Sequence, residues 1–347
     1  MKVAISLAPL SSASQTRGVG VYTRELLRAL QQNFPDSTFL AKDGNCYHDS
    51  VDLVHFPFFD PHFLTLPHRK PLPTIVTIHD LIPLKFASHF PPGLRGRLKY
   101  NLQKRSLRGV NHIITDSESS SRDIQEIMNV PESKITVVPL APIIIRKTAT
   151  LNSPIIKKYS LPPRYLLYVG DINWNKNVKG LINAFSQLNK PNLHLVIVGK
   201  VFSDKPDIPE YREIESLIAA SPAKNRIKML GYIPTHHMPY IYAHATLYVQ
   251  PSWYEGFGLP ILEAMNQGCP VLTSNQGSLP EVGGKSVAYF DPHSKKELLD
   301  SLKMLLRDSR ARKKLSSQGQ ARARNFSWEK TARATYEVYG KVLTNTN

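Results

Sequence analysis

Short apolar runs alternate with helical patterns along most of the 347 residues. The runs at residues 3–8, 53–56, 74–78, 112–115 and 136–138 read as strands, and stretches of 3.6-residue periodicity lie between most of them. The pattern restarts after residue 150, with runs at 165–169, 193–198, 227–230, 247–250, 271–274 and 287–290. Alternation of this kind predicts an α/β chain whose sheets are mainly parallel and covered by helices. Residues 143–163 carry Thr, Asn, Ser and Pro without strand content and read as a linker. The chain is long enough for two domains, each with its own core. The expectation is two doubly wound domains, 1–150 and 151–327, with a final helix over 328–347 that Ser327 caps. Doubly wound sheets present ligand loops at the carboxyl ends of their strands.

The most informative loop runs from Pro251 to Met265. Glu255 and Glu263 bracket glycines and the start of a helix. Pro260 suits a first helical position, where its missing N–H costs nothing. Gly268 marks the stop, and residues 270–274 follow as a buried strand. Glu255 therefore lies at the positive end of a helix dipole, and Glu263 in its opening turns. Free N–H groups there hold phosphate, and Gly256 and Gly258 let a ligand approach the backbone closely. Carboxylates beside an anion cradle suit a ligand with both hydroxyls and phosphate, such as a nucleotide-sugar. The plainer reading makes both glutamates solvated helix-end charges.

This segment resembles the Glu-x7-Glu signature of retaining glycosyltransferases, in particular glycosyltransferase family 4. Other stretches carry the resemblance across nearly the whole chain. Gly18 and Gly20 precede a helix after the first strand and resemble the family's glycine-rich first loop, which reaches over the donor diphosphate. As a dinucleotide fingerprint the loop is weak, because Thr23 stands where a third glycine is needed. His79, followed by Asp80, stands at the carboxyl end of an apolar strand and matches the family's strand-terminal histidine. Lys176, in Asn175-Lys176-Asn177, matches the cation that binds the donor diphosphate. Asn175 replaces a common arginine, and Asp171 stands where some members carry another. The turn at Ile233-Pro234 resembles the one that cups the nucleobase through backbone groups. The segment Thr115-Asp116-Ser117 resembles a Ser-rich strand end, most of whose serines read as helix caps.

The resemblance implies two Rossmann-like domains facing a cleft, the B-type glycosyltransferase fold, with the last helix crossing back to the N-terminal domain. That domain would take the acceptor and the C-terminal one the nucleotide-sugar. It implies Glu255, His79 and Lys176 as catalytic residues: Glu255 on the donor-sugar hydroxyls, His79 near the sugar, Lys176 on the diphosphate. Gly18, Gly20, Lys176, Ile233, Gly256, Phe257, Gly258, Leu259 and Glu263 would bind the donor, with Glu263 on the ribose hydroxyls. It implies no metal and no other cofactor, and a front-face displacement in which the leaving phosphate takes the acceptor proton.

Composition narrows the partners. Two cysteines, Cys46 and Cys269, make neither a disulfide framework nor a metal cluster, which fits a reducing cytosol. No run is apolar enough for a membrane span, and the opening residues read as a strand because Pro9 cuts the apolar run short. The formal net charge is +17. Such a surface favours nucleic acid, anionic lipid or phosphorylated substrates, and no nucleic-acid motif accompanies it. Basic residues concentrate in two helical stretches, 95–108 and 303–324. In the first, Leu94, Leu98, Leu102 and Leu107 interleave with Arg95, Arg97, Lys99, Lys104, Arg105 and Arg108. That helix is either a solvated face packed on its own domain or a contact for anionic membrane or a lipid-diphosphate acceptor.

The expected activity is transfer of a hexose from GDP-mannose or a UDP-hexose to a glycan or polyprenyl-diphosphate-linked hydroxyl. The expected place is the cytoplasm, peripheral at the inner membrane face. The alternatives are a sugar-nucleotide epimerase of the same fold and a basic nucleic-acid-binding protein.

Overall fold

The computed structural model of the chain describes residues 1–11, 18–42, 46–47, 50–144 and 153–346. Thr16 and Arg17 of the first glycine loop, and residues 145–152 of the expected linker, lie outside the described residues. The chain divides into two compact units, Met1–Ile143 with Phe326–Asn347, and Ile144–Asn325.

The first unit holds a six-stranded sheet: β1 (Lys2–Ser6), β2 (Thr38–Lys42), β3 (Leu53–Phe56), β4 (Thr74–Thr77), β5 (His112–Thr115) and β6 (Ile135–Val137). The order is β2-β1-β3-β4-β5-β6, and every pair is parallel. Every residue of β3, β4 and β5 is buried, as expected when helices cover both faces. The Gly18–Asn33 helix buries Tyr22, Leu26, Ala29 and Leu30, a single stripe at helical spacing. Its opening differs from expectation: Gly18 is already its first residue and Gly20 is buried in its first turn.

Strand β2 was not legible in the apolar pattern. It is an edge strand in which Phe39 alone is buried, so Thr38-Phe-Leu-Ala-Lys42 carries half the usual signal. The Trp328–Thr346 helix packs in this first unit. The Tyr336 ring stacks on Phe34 at 3.8 Å, and Thr331 Oγ1 donates to the Pro139 carbonyl at 2.8 Å. Tyr339 OH meets His55 Nδ1 at 2.7 Å while His55 Nε2 meets Thr77 Oγ1 at 2.9 Å. Burial pushes the His55 pKa down to about 3, so this buried ring is neutral and ties the last helix to β3 and β4.

The second unit holds β7 (Tyr165–Val169), β8 (His194–Val198), β9 (Ile227–Gly231), β10 (Leu247–Gln250), β11 (Val271–Ser274) and β12 (Ala288–Phe290). The order is β12-β11-β10-β7-β8-β9, again all parallel. The basic stretch read at 303–324 is two helices, Lys295–Arg307 and Ser309–Ala323. Asp308 breaks it, and its Oδ1 caps the second helix at Ala311 N, 2.9 Å.

Each order fixes where a ligand fits. From β7 the chain builds outward to β8 and β9, then returns to the other side of β7 with β10. The loops after β7 and β10 therefore diverge and leave a crevice at their carboxyl ends. The corresponding point in the first sheet lies between β1 and β3.

Candidate active site

The loop after β7 carries Lys176 in the 3-10 turn Trp174–Lys176, and the loop after β10 carries Glu255. They meet at the switch point of the second sheet. Lys176 Nζ donates to Glu255 Oε1 at 2.9 Å and Oε2 at 2.8 Å, spanning the carboxylate. Glu255 is 5% exposed. Its Oε1 also accepts from Gln250 Nε2 at 2.9 Å and Ser252 Oγ at 2.7 Å. Buried charge is tolerated only when paired and hydrogen-bonded, and this carboxylate has both.

The two loops are laced by main chain. Trp253 N donates to the Asn175 carbonyl at 2.8 Å, Asn175 Nδ2 to the Tyr254 carbonyl at 3.1 Å, and Asn177 Nδ2 to the Pro251 carbonyl at 3.0 Å. Asn175 is thus a buried splint. Asp171 closes its own turn, accepting from Ile172 N on Oδ1 and from Tyr168 OH on its carbonyl.

The backbone of Glu255 is clamped from behind. Ser278 donates to its carbonyl from both N, at 3.2 Å, and Oγ, at 3.0 Å. Gly277 stands at φ +60, and a Cβ there would lie 2.5 Å from that carbonyl oxygen. Gly258, at φ +92, is the N-cap of the Leu259–Asn266 helix, and a Cβ there would lie 2.7 Å from Leu279 Cδ2. Gly277 is dictated by both conformation and space, and Gly258 by conformation. They set Gly256, Phe257, Gly258 and Leu259 as the lip of a helix N-terminus beside the ion pair.

Glu263 lies inside that helix, 8% exposed, and Tyr242 OH donates to its Oε2 at 3.1 Å. Burial pushes its pKa up to about 7, with the Tyr242 hydrogen bond opposing. Ile233 is buried in the turn after β9, and no hydrogen bond to another described residue engages its main chain.

In the first unit His79 follows β4 and Asp116 follows β5. His79 Nδ1 is 2.7 Å from Asp116 Oδ2, and Nε2 is 3.2 Å from the Pro57 carbonyl. Both partners are acceptors, so the ring satisfies both only with a proton on each nitrogen. Burial alone lowers its pKa, but the Asp116 charge and hydrogen bond, the Asp80 charge and the Pro57 carbonyl reverse this, and the net shift is upward. Tyr22, on the helix that Gly18 opens, packs edge-on against the ring at 4.7 Å. Asp116 is 3% exposed, and its Oδ1 is buried with no hydrogen-bond partner among the described residues. A Cβ at Gly18 would meet nothing within 4 Å.

The structure therefore brings Lys176, Glu255 and the Phe257–Leu259 lip together in one unit, and His79 beside the Gly18–Asn33 helix in the other. Sequence reasoning missed Gln250, Ser252, Tyr242 and Asp116. Gln250 ends a buried strand with an amide, and that position was a signal; Asp116 was masked by the capping serines around it.

Comparison with known proteins decides the family. The family model "Glycosyl transferases group 1" matches residues 154–322, and "Glycosyltransferase Family 4" matches residues 47–141. The O-antigen chain mannosyltransferase B of Escherichia coli is 32% identical over 299 residues, covering 83% of this chain and 75% of that protein. The chain belongs to glycosyltransferase family 4. The serotype-specific mannosyltransferase WbdA of Escherichia coli is 28% identical to this glycosyltransferase over 318 residues; the match covers 87% of this chain but 38% of that longer protein. A sucrose-phosphate synthase structure from Thermosynechococcus elongatus superposes with a TM-score of 0.80 at 18% identity, covering 99% of this chain and 100% of that one, which shows the B-type fold. The chain is a glycosyltransferase. Among its described residues no helix is long and apolar enough to cross a membrane, and no group of three His, Cys, Asp or Glu side chains is placed to hold a metal.

Proposed function

We propose that this glycosyltransferase moves mannose from GDP-mannose, with retention, to a hydroxyl of a lipid-linked glycan during cell-surface polysaccharide synthesis. The observation that carries the reading is the Lys176–Glu255 pair at the carboxyl ends of β7 and β10. It places a cation and a carboxylate where this sheet order opens a crevice. The choice of mannose rests on relatives whose names make them mannosyltransferases.

In the proposed reaction the second unit holds the donor. Lys176 and the N–H groups of the Gly258-capped helix take the diphosphate, without a metal. Glu263 accepts from the ribose hydroxyls, and the Ile233 turn cups the base. Binding phosphate draws Lys176 from Glu255 and frees that carboxylate for donor-sugar hydroxyls and the cationic sugar. The C1–O bond breaks with its electron pair going to the diphosphate. The acceptor oxygen forms its bond to C1 on the same face, and its proton passes to the departing phosphate. A fixed cation on the leaving group is worth more here than in water, because the site is largely buried. The first unit takes the acceptor, and the His79 imidazolium, held by Asp116, donates to a substrate oxygen.

The acceptor side is assigned to a membrane surface. On the Gly93–Leu107 helix, Leu94, Leu98 and Leu102 are 81%, 66% and 50% exposed, while Gly96, Gln103, Ser106 and Leu107 face inward. The leucines at i, i+4 and i+8 form one outward row flanked by cations, which suits contact with an anionic bilayer surface. A thermal-shift panel of nucleotide-sugars tests the donor: GDP-mannose at a hundred times its Kd should add about 2.7 kcal/mol of stability. At equal concentrations, a larger shift with a UDP-sugar than with GDP-mannose would overturn the choice of base.

A further inference from the structure

The first sheet has its own switch point, between β1 and β3, and the cavity there measures ≈ 620 Å³. That volume is within the range of ligand sites. Ser6 and Phe56, at the carboxyl ends of β1 and β3, form part of its wall with Tyr47 and Ser106. Leu64 and Leu102 line it as well, and both are exposed, at 63% and 50%. Leu102 belongs to the outward leucine row, and Phe63, next to Leu64 in the chain, is 62% exposed with Lys99 Nζ 5.1 Å over its ring.

Its surroundings are cationic. From residue 60 to residue 116 the chain has nine Lys and Arg side chains and three carboxylates, Asp60, Asp80 and Asp116. Pro67, His68 and Ser106 line the cavity, and their three carbonyls hold the Lys70 ammonium, at 2.8, 3.5 and 2.5 Å. No described carboxylate pairs with Lys70. A mostly apolar cavity, an apolar mouth and a lysine charge held behind the wall by three main-chain carbonyls match one ligand chemistry: a hydrocarbon chain with an anionic head.

We propose that the β1/β3 cavity binds the hydrocarbon chain of a phosphate- or diphosphate-headed lipid, entering past Leu64 and Leu102 with its head toward Lys70. Its identification with the acceptor's carrier lipid rests on the function proposed above; the binding does not. The exposed leucine row then serves as the threshold by which the chain leaves a bilayer.

The test is calorimetric titration of the full chain with geranyl diphosphate, geraniol and inorganic diphosphate, with GDP-mannose titrated in parallel. Geranyl diphosphate should bind at least tenfold more tightly than inorganic diphosphate, and geraniol should compete with it. Changing Leu64 and Leu102 to Glu, both at exposed positions, should weaken geranyl diphosphate at least tenfold and leave GDP-mannose binding unchanged. Displacement of the probe by phosphatidylglycerol vesicles would identify bulk lipid as the source of the chain, and its persistence would identify an isoprenoid carrier; either agrees with a chain site. Equal affinity for inorganic diphosphate, or unchanged affinity in the double variant, would overturn the proposal. Loss of GDP-mannose binding in the wild type would instead remove the donor assignment and leave the lipid result standing.

Discussion

Lys176 and Glu255 lie 79 residues apart, yet the lysine ammonium spans both oxygens of the glutamate, at 2.9 and 2.8 Å. The two groups assigned to the donor neutralise one another across the switch point of the second sheet. Removing either leaves the other charged in a largely buried place, which is more costly than never having the pair. Lys176→Met should therefore lower stability by roughly 3 kcal/mol and also weaken binding of the nucleoside diphosphate. Thermal melts and GDP titrations on the same variant check this. Unchanged GDP affinity would show that another cation carries the diphosphate.

Glu255→Gln keeps the shape and removes the charge. Gln250 and Ser252 still find an acceptor, and Lys176 is released. Activity should fall by roughly 2–4 kcal/mol of transition-state stabilisation, comparable to one preorganised electrostatic group. A folded variant that turns over near the wild-type rate would remove Glu255 from the reaction.

Glu263 makes stability and donor binding depend on pH in opposite ways. Its pKa is about 7 in the folded chain, above its ordinary 4.5. The folded state then holds a proton that the unfolded chain has already released between these values. Its contribution to stability is full below about 4.5, falls as pH rises toward 7, and levels off above. The total is roughly 3 kcal/mol, at 1.36 kcal/mol per unit. Glu263→Gln should flatten that slope in denaturant titrations. Donor affinity in the wild type should instead rise through pH 7, because two ribose hydroxyls need an ionised acceptor.

Asp116→Asn should lower the pKa of His79. The carboxylate supplies the charge and the hydrogen bond that outweigh burial, and Asn supplies only the bond. In the wild type this raised pKa stabilises the fold below the ordinary histidine pKa, and the benefit is lost as pH rises through the folded value. The His79 ring titration by NMR, and the pH profile of kcat/KM, should both move to lower pH in the variant. An unmoved ring titration would make Asp116 a bystander.

Gly277→Ala should damage the site without touching a polar group. The new methyl meets the Glu255 carbonyl at 2.5 Å in a backbone region that disfavours side chains. A loss of about 1–3 kcal/mol in stability is expected, with a larger fractional loss in activity as the loop shifts. Retained activity and an unchanged melt would show that the clamp is loose.

Buried parallel strands announce themselves as apolar runs, so β3, β5, β7, β10 and β11 coincide with the runs at 53–56, 112–115, 165–169, 247–250 and 271–274. An edge strand such as β2 buries one side chain and escapes notice. The loop around Glu255 was legible because its glycines and Pro260 are imposed by backbone geometry. Its partners were not: Gln250, Ser252 and Tyr242 act through distances that only the folded sheet sets. The leucines of the Gly93–Leu107 helix read as amphipathic, but periodicity alone does not say which face turns outward.

The most direct measurement of the central claim is the anomeric configuration of the product. The glycosyltransferase would be incubated with GDP-mannose and a synthetic mannoside bearing a prenyl-type tail, in the presence of a chelator, and the reaction followed by NMR. The account predicts an α-linked mannoside with stoichiometric release of GDP. A β-linked product, dependence on added magnesium or manganese, or turnover of the donor without any acceptor would contradict it.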